Sequence, residues 1–71
     1  MPFIPQRLTQ ARKMSGLPLR ALSEKLGNTP SHTILARYEK GIAAPNSEML
    51  ARLAHILDVS PDFFYCASSL S

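Results

Sequence analysis

The stretch that decides the fold reads Leu22-Ser23-Glu24-Lys25-Leu26-Gly27-Asn28-Thr29-Pro30-Ser31-His32-Thr33. Leu19, Leu22 and Leu26 recur at three and four residues, the spacing that places them on one face of a helix. Gly27 ends that helix and lets the chain reverse sharply. Asn28-Thr29-Pro30 reads as a turn, since proline disfavours helical backbone at the residue before it. Ser31 is a good cap for a second helix, which runs to Lys40 and stops at Gly41, with Leu35 and Tyr38 on its buried side. Ser23 lies four positions before Gly27, and a small residue there lets the two helices cross closely.

The flanking sequence predicts more of the same element. On the N-terminal side, Pro5 fits a first helical turn, and Gln6 to Ser15 follow with Leu8, Ala11 and Met14 on one face, stopped by Gly16. Pro18 opens the helix that ends at Gly27. On the C-terminal side, Ile42 to Pro45 is a loop, and Asn46 or Ser47 caps a helix striped by Leu50, Leu53, Ala54 and Leu57. Ser60-Pro61-Asp62 repeats the start signal for a short fifth helix carrying Phe63, Phe64 and Tyr65. The expectation is an all-α fold of five short helices. Helices of this length are stabilised by packing, and the residues available to pool are Leu8, Leu17, Leu22, Leu26, Leu35, Tyr38, Leu50, Leu53, Leu57, Val59 and Phe64. At roughly 1.5–3 kcal/mol for each large side chain buried, they suffice for one core and no more.

Composition narrows the class. The 71 residues are 45% hydrophobic and 18% charged, as expected of a folded globular chain and not a disordered one. No apolar run reaches the roughly 18 residues a membrane span needs. Gln6, Arg7, Thr9 and Gln10 interrupt any signal-peptide core, so a cytoplasmic protein is expected. Cys66 is the one cysteine, which rules out a disulfide within the chain and any cysteine-based metal site. His32 and His55 are far apart with no carboxylate cluster beside either, so neither a metal nor another cofactor is expected. No nucleophile–His–acid set and no Gly-rich phosphate loop occurs, and the chain is too short to enclose a sizeable pocket; an enzyme is not expected. The net charge of +3 is unevenly spread. Residues 1–41 hold seven cations against Glu24 and Glu39, whereas residues 42–71 hold Arg52 against Glu48, Asp58 and Asp62. A basic half joined to an acidic half hints at a side that faces a polyanion.

Two helices crossing through a tight turn form a helix-turn-helix, which presents the N-terminal turn of its second helix to the major groove. In order and spacing, the chain resembles the phage repressor/Cro-type helix-turn-helix family. Arg7-Leu8-Thr9-Gln10-Ala11-Arg12-Lys13 with Gly16-Leu17 resembles the family's opening, and Leu22-Ser23-Glu24-Lys25-Leu26-Gly27 its second helix. Ser31-His32-Thr33 through Arg37-Tyr38-Glu39-Lys40-Gly41 resembles the recognition helix and its exit. Pro45, Glu48-Met49-Leu50, Leu53-Ala54, Leu57 and Val59-Ser60-Pro61-Asp62-Phe63-Phe64 match the remainder. The likeness covers about residues 7–65. It implies a compact five-helix, lambda-repressor-like DNA-binding domain over residues 1–66, with residues 67–71 as a tail or the start of a linker to a further domain.

The resemblance also implies roles. Positions matching Ser31, His32, Thr33 and Arg37 approach bases or flanking phosphates, and base reading suits their chemistry: arginine can donate twice to guanine O6 and N7, while threonine and histidine can bond base edges. Arg20 and Lys40 are placed for phosphates, which position a protein without reading sequence. Arg12 and Glu39 match a structural ion pair. The plain alternatives are a solvated charge for Arg37, local capping or packing for His32, and a helix-start role for Thr33. Tyr38 and Phe64 read as core aromatics, and His55 as an exposed residue.

Three departures from the family pattern stand out. Three residues separate Gly27 from Ser31 where one is expected. Leu19 replaces a polar residue near the start of the second helix. The loop Ile42-Ala43-Ala44 is apolar where relatives carry Lys or Arg. These thin the phosphate anchors and imply modest affinity per monomer, hence a homodimer on DNA or a second domain. The function expected is sequence-specific binding of double-stranded DNA in transcriptional regulation, most simply as a repressor. The alternative is a protein-interaction or antitoxin module that keeps the fold without strong DNA binding, with Ile42, Ala43, Ala44, Ile56 and Phe63 as its apolar patch. A third reading makes the chain the regulatory module of a longer protein with an attached catalytic domain.

Overall fold

Each predicted stop and start signal has a structural counterpart in the computed structural model, which describes residues 3–65. Four α-helices follow one another: α1 Pro5–Met14, α2 Leu19–Lys25, α3 His32–Lys40 and α4 Ser47–Leu57. Proline begins α1, where its missing N–H costs nothing. Ser31 caps α3 by accepting the Ile34 N–H at 3.4 Å, and Asn46 caps α4 by accepting the Met49 N–H at 2.8 Å. Gly41 leaves α3 at φ +79°, the left-handed region that glycine enters without strain. No strand occurs among the described residues.

The fifth helix differs from expectation. Pro61–Tyr65 is a 3-10 helix, so the described residues hold four α-helices and not five. Ser60 starts the segment by accepting the Phe63 N–H on its carbonyl at 2.9 Å. The Phe64 carbonyl is taken by the Ile4 N–H at 2.8 Å, a bond that ties the beginning of the chain to this segment. The segment is only five residues, and the tighter 3-10 form occurs in short pieces of this kind. Cys66 and the tail 67–71 lie outside the described residues.

The core gathers Leu8 and Ala11 of α1, Leu22 of α2, Leu26 at its end, Leu35 of α3, Leu50, Leu53, Ala54 and Leu57 of α4, and Phe64. Leu17, Tyr38 and Val59 are only half-buried and pack around this centre. Phe3 joins the rim, its ring 6.3 Å from that of Phe64. One side chain that the hydrophobic pattern does not predict is also inside. Arg7 is only 4% exposed, with its guanidinium 4.5 Å from the centre of the Phe63 ring and Nη1 donating to Gln10 at 3.2 Å. A cation on an aromatic face keeps part of its electrostatic stabilisation when water is removed.

Candidate nucleic-acid interface

The two faces of α3 divide cleanly. At about 100° per residue, His32, Thr33, Ala36, Arg37 and Lys40 fall within an arc of roughly 140°. Ile34, Leu35, Tyr38 and Glu39 fill the opposite side. Leu35 is buried and the other three half-buried, whereas Ser31, His32, Thr33, Arg37 and Lys40 are all exposed. The core thus fixes the roll of α3, and the polar side chains are presented to solvent together. Arg20, in the first turn of α2, is exposed as well. Arg37 and Lys40 also stand in the last turn of α3, where cations offset the negative end of the helix dipole.

Between α2 and α3 the chain makes a long turn. Leu26 N–H donates to Leu22 and Ser23 carbonyls, Gly27 N–H to Glu24 at 3.0 Å, and Asn28 N–H to Ser23 at 2.8 Å. Gly27 and Asn28 both adopt positive φ, +84° and +66°, and the Thr29–Pro30 peptide is cis. Ser23 is 6% exposed, which meets the requirement for a small side chain between crossing helices. Its hydroxyl has a further partner, donating to the Pro30 carbonyl at 2.8 Å. From α4, Arg52 Nη2 donates to the Leu26 carbonyl at 2.7 Å and so closes the last turn of α2.

At its other end α3 is fastened to α1. Arg12 Nε and Nη2 donate to the two Glu39 carboxylate oxygens at 2.6 and 3.0 Å, and Nη1 donates to the Leu17 carbonyl at 3.0 Å. The two side chains are 14% and 10% exposed. Hydrogen bonding to Glu39 holds the Arg12 pKa above its ordinary value, against the opposing effect of burial and with help from the carboxylate charge. A two-point guanidinium–carboxylate pair fixes orientation as well as distance. Beyond it, the Ile42 N–H donates to the Arg37 carbonyl at 3.0 Å, and Ile42 itself is 70% exposed.

Of the residues singled out from sequence, Ser31, His32, Thr33, Arg37 and Lys40 are exposed at the start and along α3 and Arg20 is exposed on α2, while two further side chains around the turn carry no sequence signal of their own. Arg52 looks like a surface charge of the acidic half, and the Ser23 hydroxyl like a mere consequence of small size. The residues of the apolar patch are differently placed. Phe63 lies against Arg7, and Ile56 lines an open groove with Lys25, Glu48, Ala51, Arg52 and His55. Among the described residues no group of three His, Cys, Asp or Glu is placed to hold a metal ion. None of their helices is long and apolar enough to cross a membrane.

A family profile described as Helix-turn-helix matches residues 8–64. A search of curated proteins finds no match to the chain.

Proposed function

The chain belongs to the helix-turn-helix family of the phage repressor/Cro type, whose members bind DNA in transcription regulation, and from that membership we propose that it is a sequence-specific repressor reading the major groove with α3. Ser31, His32, Thr33 and Arg37 read base edges. Arg20 and Lys40 hold the flanking phosphates. The observation that carries this reading is the solvent-facing arc of α3, which groups His32, Thr33, Arg37 and Lys40 on the side away from Leu35, with His32 and Thr33 in the N-terminal turn that a helix-turn-helix inserts in the groove.

The footprint is small, and the loop that leaves α3 offers the phosphates Ile42, Ala43 and Ala44 in place of cations. A homodimer on a two-fold operator in the cytoplasm doubles the contacts and supplies the missing affinity. Measuring affinity for random-sequence duplex across a salt series tests the phosphate contacts, because log affinity falls by about 0.9 per phosphate for each unit of log salt. A flat salt dependence contradicts the reading.

A further inference from the structure

The long turn before α3 is held from α2 by Ser23, through both its main chain and its side chain. Ser23 grips it at two points: its carbonyl accepts the Asn28 N–H at 2.8 Å, and its buried hydroxyl donates to the Pro30 carbonyl at 2.8 Å. Pro30 has no N–H to offer and directly precedes Ser31, the residue from which α3 starts. The hydroxyl is thus a fixed link between the buried face of α2 and the residue just before the cap of α3. The far end of α3 is fixed separately, by the two-point Arg12–Glu39 pair. With that end clamped, loss of the link lets the helix pivot about Glu39. Ser31 lies eight residues away, about 12 Å along the axis, so a tilt of ~10° carries the N-terminal turn by about 2 Å. Recognition tolerates displacements of only about 0.5 Å.

We propose that Ser23 is a positioning residue for sequence recognition, its hydroxyl setting the direction in which α3 leaves the turn and so which base edges Ser31, His32 and Thr33 meet. This inference rests on the DNA-reading function proposed above. Ser23 touches no DNA in this account. It acts only through α3.

The test uses the 71-residue chain and two variants, Ser23→Ala and Ser23→Cys. Two quantities are measured: the ratio of affinities for the duplex enriched by the wild type and for random duplex at one salt concentration, and amide residual dipolar couplings of the free proteins. For Ser23→Ala the ratio falls about tenfold, the size of one lost base contact, while affinity for random duplex stays within about twofold. The couplings of α3 change relative to those of α1 and α4. Ser23→Cys, of similar size with a weak donor, falls between. An unchanged ratio in Ser23→Ala overturns the proposal, as do unchanged couplings. Loss of both affinities in step with melting temperature also overturns it, since that marks a purely structural role. A wild type that binds no duplex breaks the DNA-reading function instead, and the couplings then decide alone whether the hydroxyl sets the helix direction.

Discussion

Arg12 of α1 and Glu39 of α3, 27 residues apart in the chain, meet through two hydrogen bonds of 2.6 and 3.0 Å that pin the C-terminal half of α3 to the first helix. The same guanidinium holds the Leu17 carbonyl at 3.0 Å, so it joins three segments. Neither partner lies on the exposed arc of α3. Their role is to keep that arc pointed outward.

Replacing Glu39 by Ala therefore acts on stability first. It strands Arg12 in a site that is mostly closed to water, and urea denaturation should show a loss of about 2 kcal/mol with the m-value unchanged. That is below the ~3–5 kcal/mol of a fully buried pair because both side chains keep some solvent contact. The sign of the pH dependence follows from the raised Arg12 pKa. A raised folded-state pKa gives stability that is fully present below the ordinary arginine value of the unfolded chain and is lost only as pH climbs through the folded one. The effect of Arg12→Leu should thus stay constant between pH 7 and about pH 10.

Arg37→Ala should relax sequence preference at one base pair by about 1–3 kcal/mol and leave folding unaltered. Competition among single-base variants of the enriched duplex measures this. An equal loss on every variant would move Arg37 from the bases to the phosphates.

Lys40→Ala and Arg20→Ala should weaken binding to all sequences alike. Each should lower the salt slope by about 0.9, one phosphate apiece. A base-specific loss in either variant would reverse its assigned role.

Arg7→Ala should behave unlike the other cations of the basic half. Its guanidinium rests on the Phe63 ring and is almost fully covered, so the variant should lose about 1–3 kcal/mol of stability. The salt slope of duplex binding should not change, and a reduced slope would place Arg7 at the DNA surface.

Arg7 also shows where the sequence stops being legible. Periodicity finds the faces of α1 from Leu8 and Ala11, yet a cation beside them reads as solvated, and its ring partner lies 56 positions further on. Caps and stops at Ser31, Gly41 and Asn46 are local chemistry and could be read directly. In the 3-10 segment Pro61–Tyr65 the Phe64 carbonyl accepts the Ile4 N–H, a tertiary bond with no local signal. For the same reason Ser23 reads as merely small: its hydroxyl matters only once the turn brings Pro30 back to it. Ser31, His32, Thr33, Arg37 and Lys40 could be singled out through the family resemblance, and helical spacing accounts for His32, Thr33, Arg37 and Lys40 facing away from Leu35.

The central claim is that the exposed arc of α3 is the surface that meets DNA bases. Titrating the labelled protein with its enriched duplex and following side-chain and amide resonances tests it most directly. The largest shifts are expected at Ser31, His32, Thr33 and Arg37, with smaller ones at Arg20 and Lys40. Shifts confined to the groove of Lys25, Glu48, Arg52 and His55, with α3 silent, would contradict it.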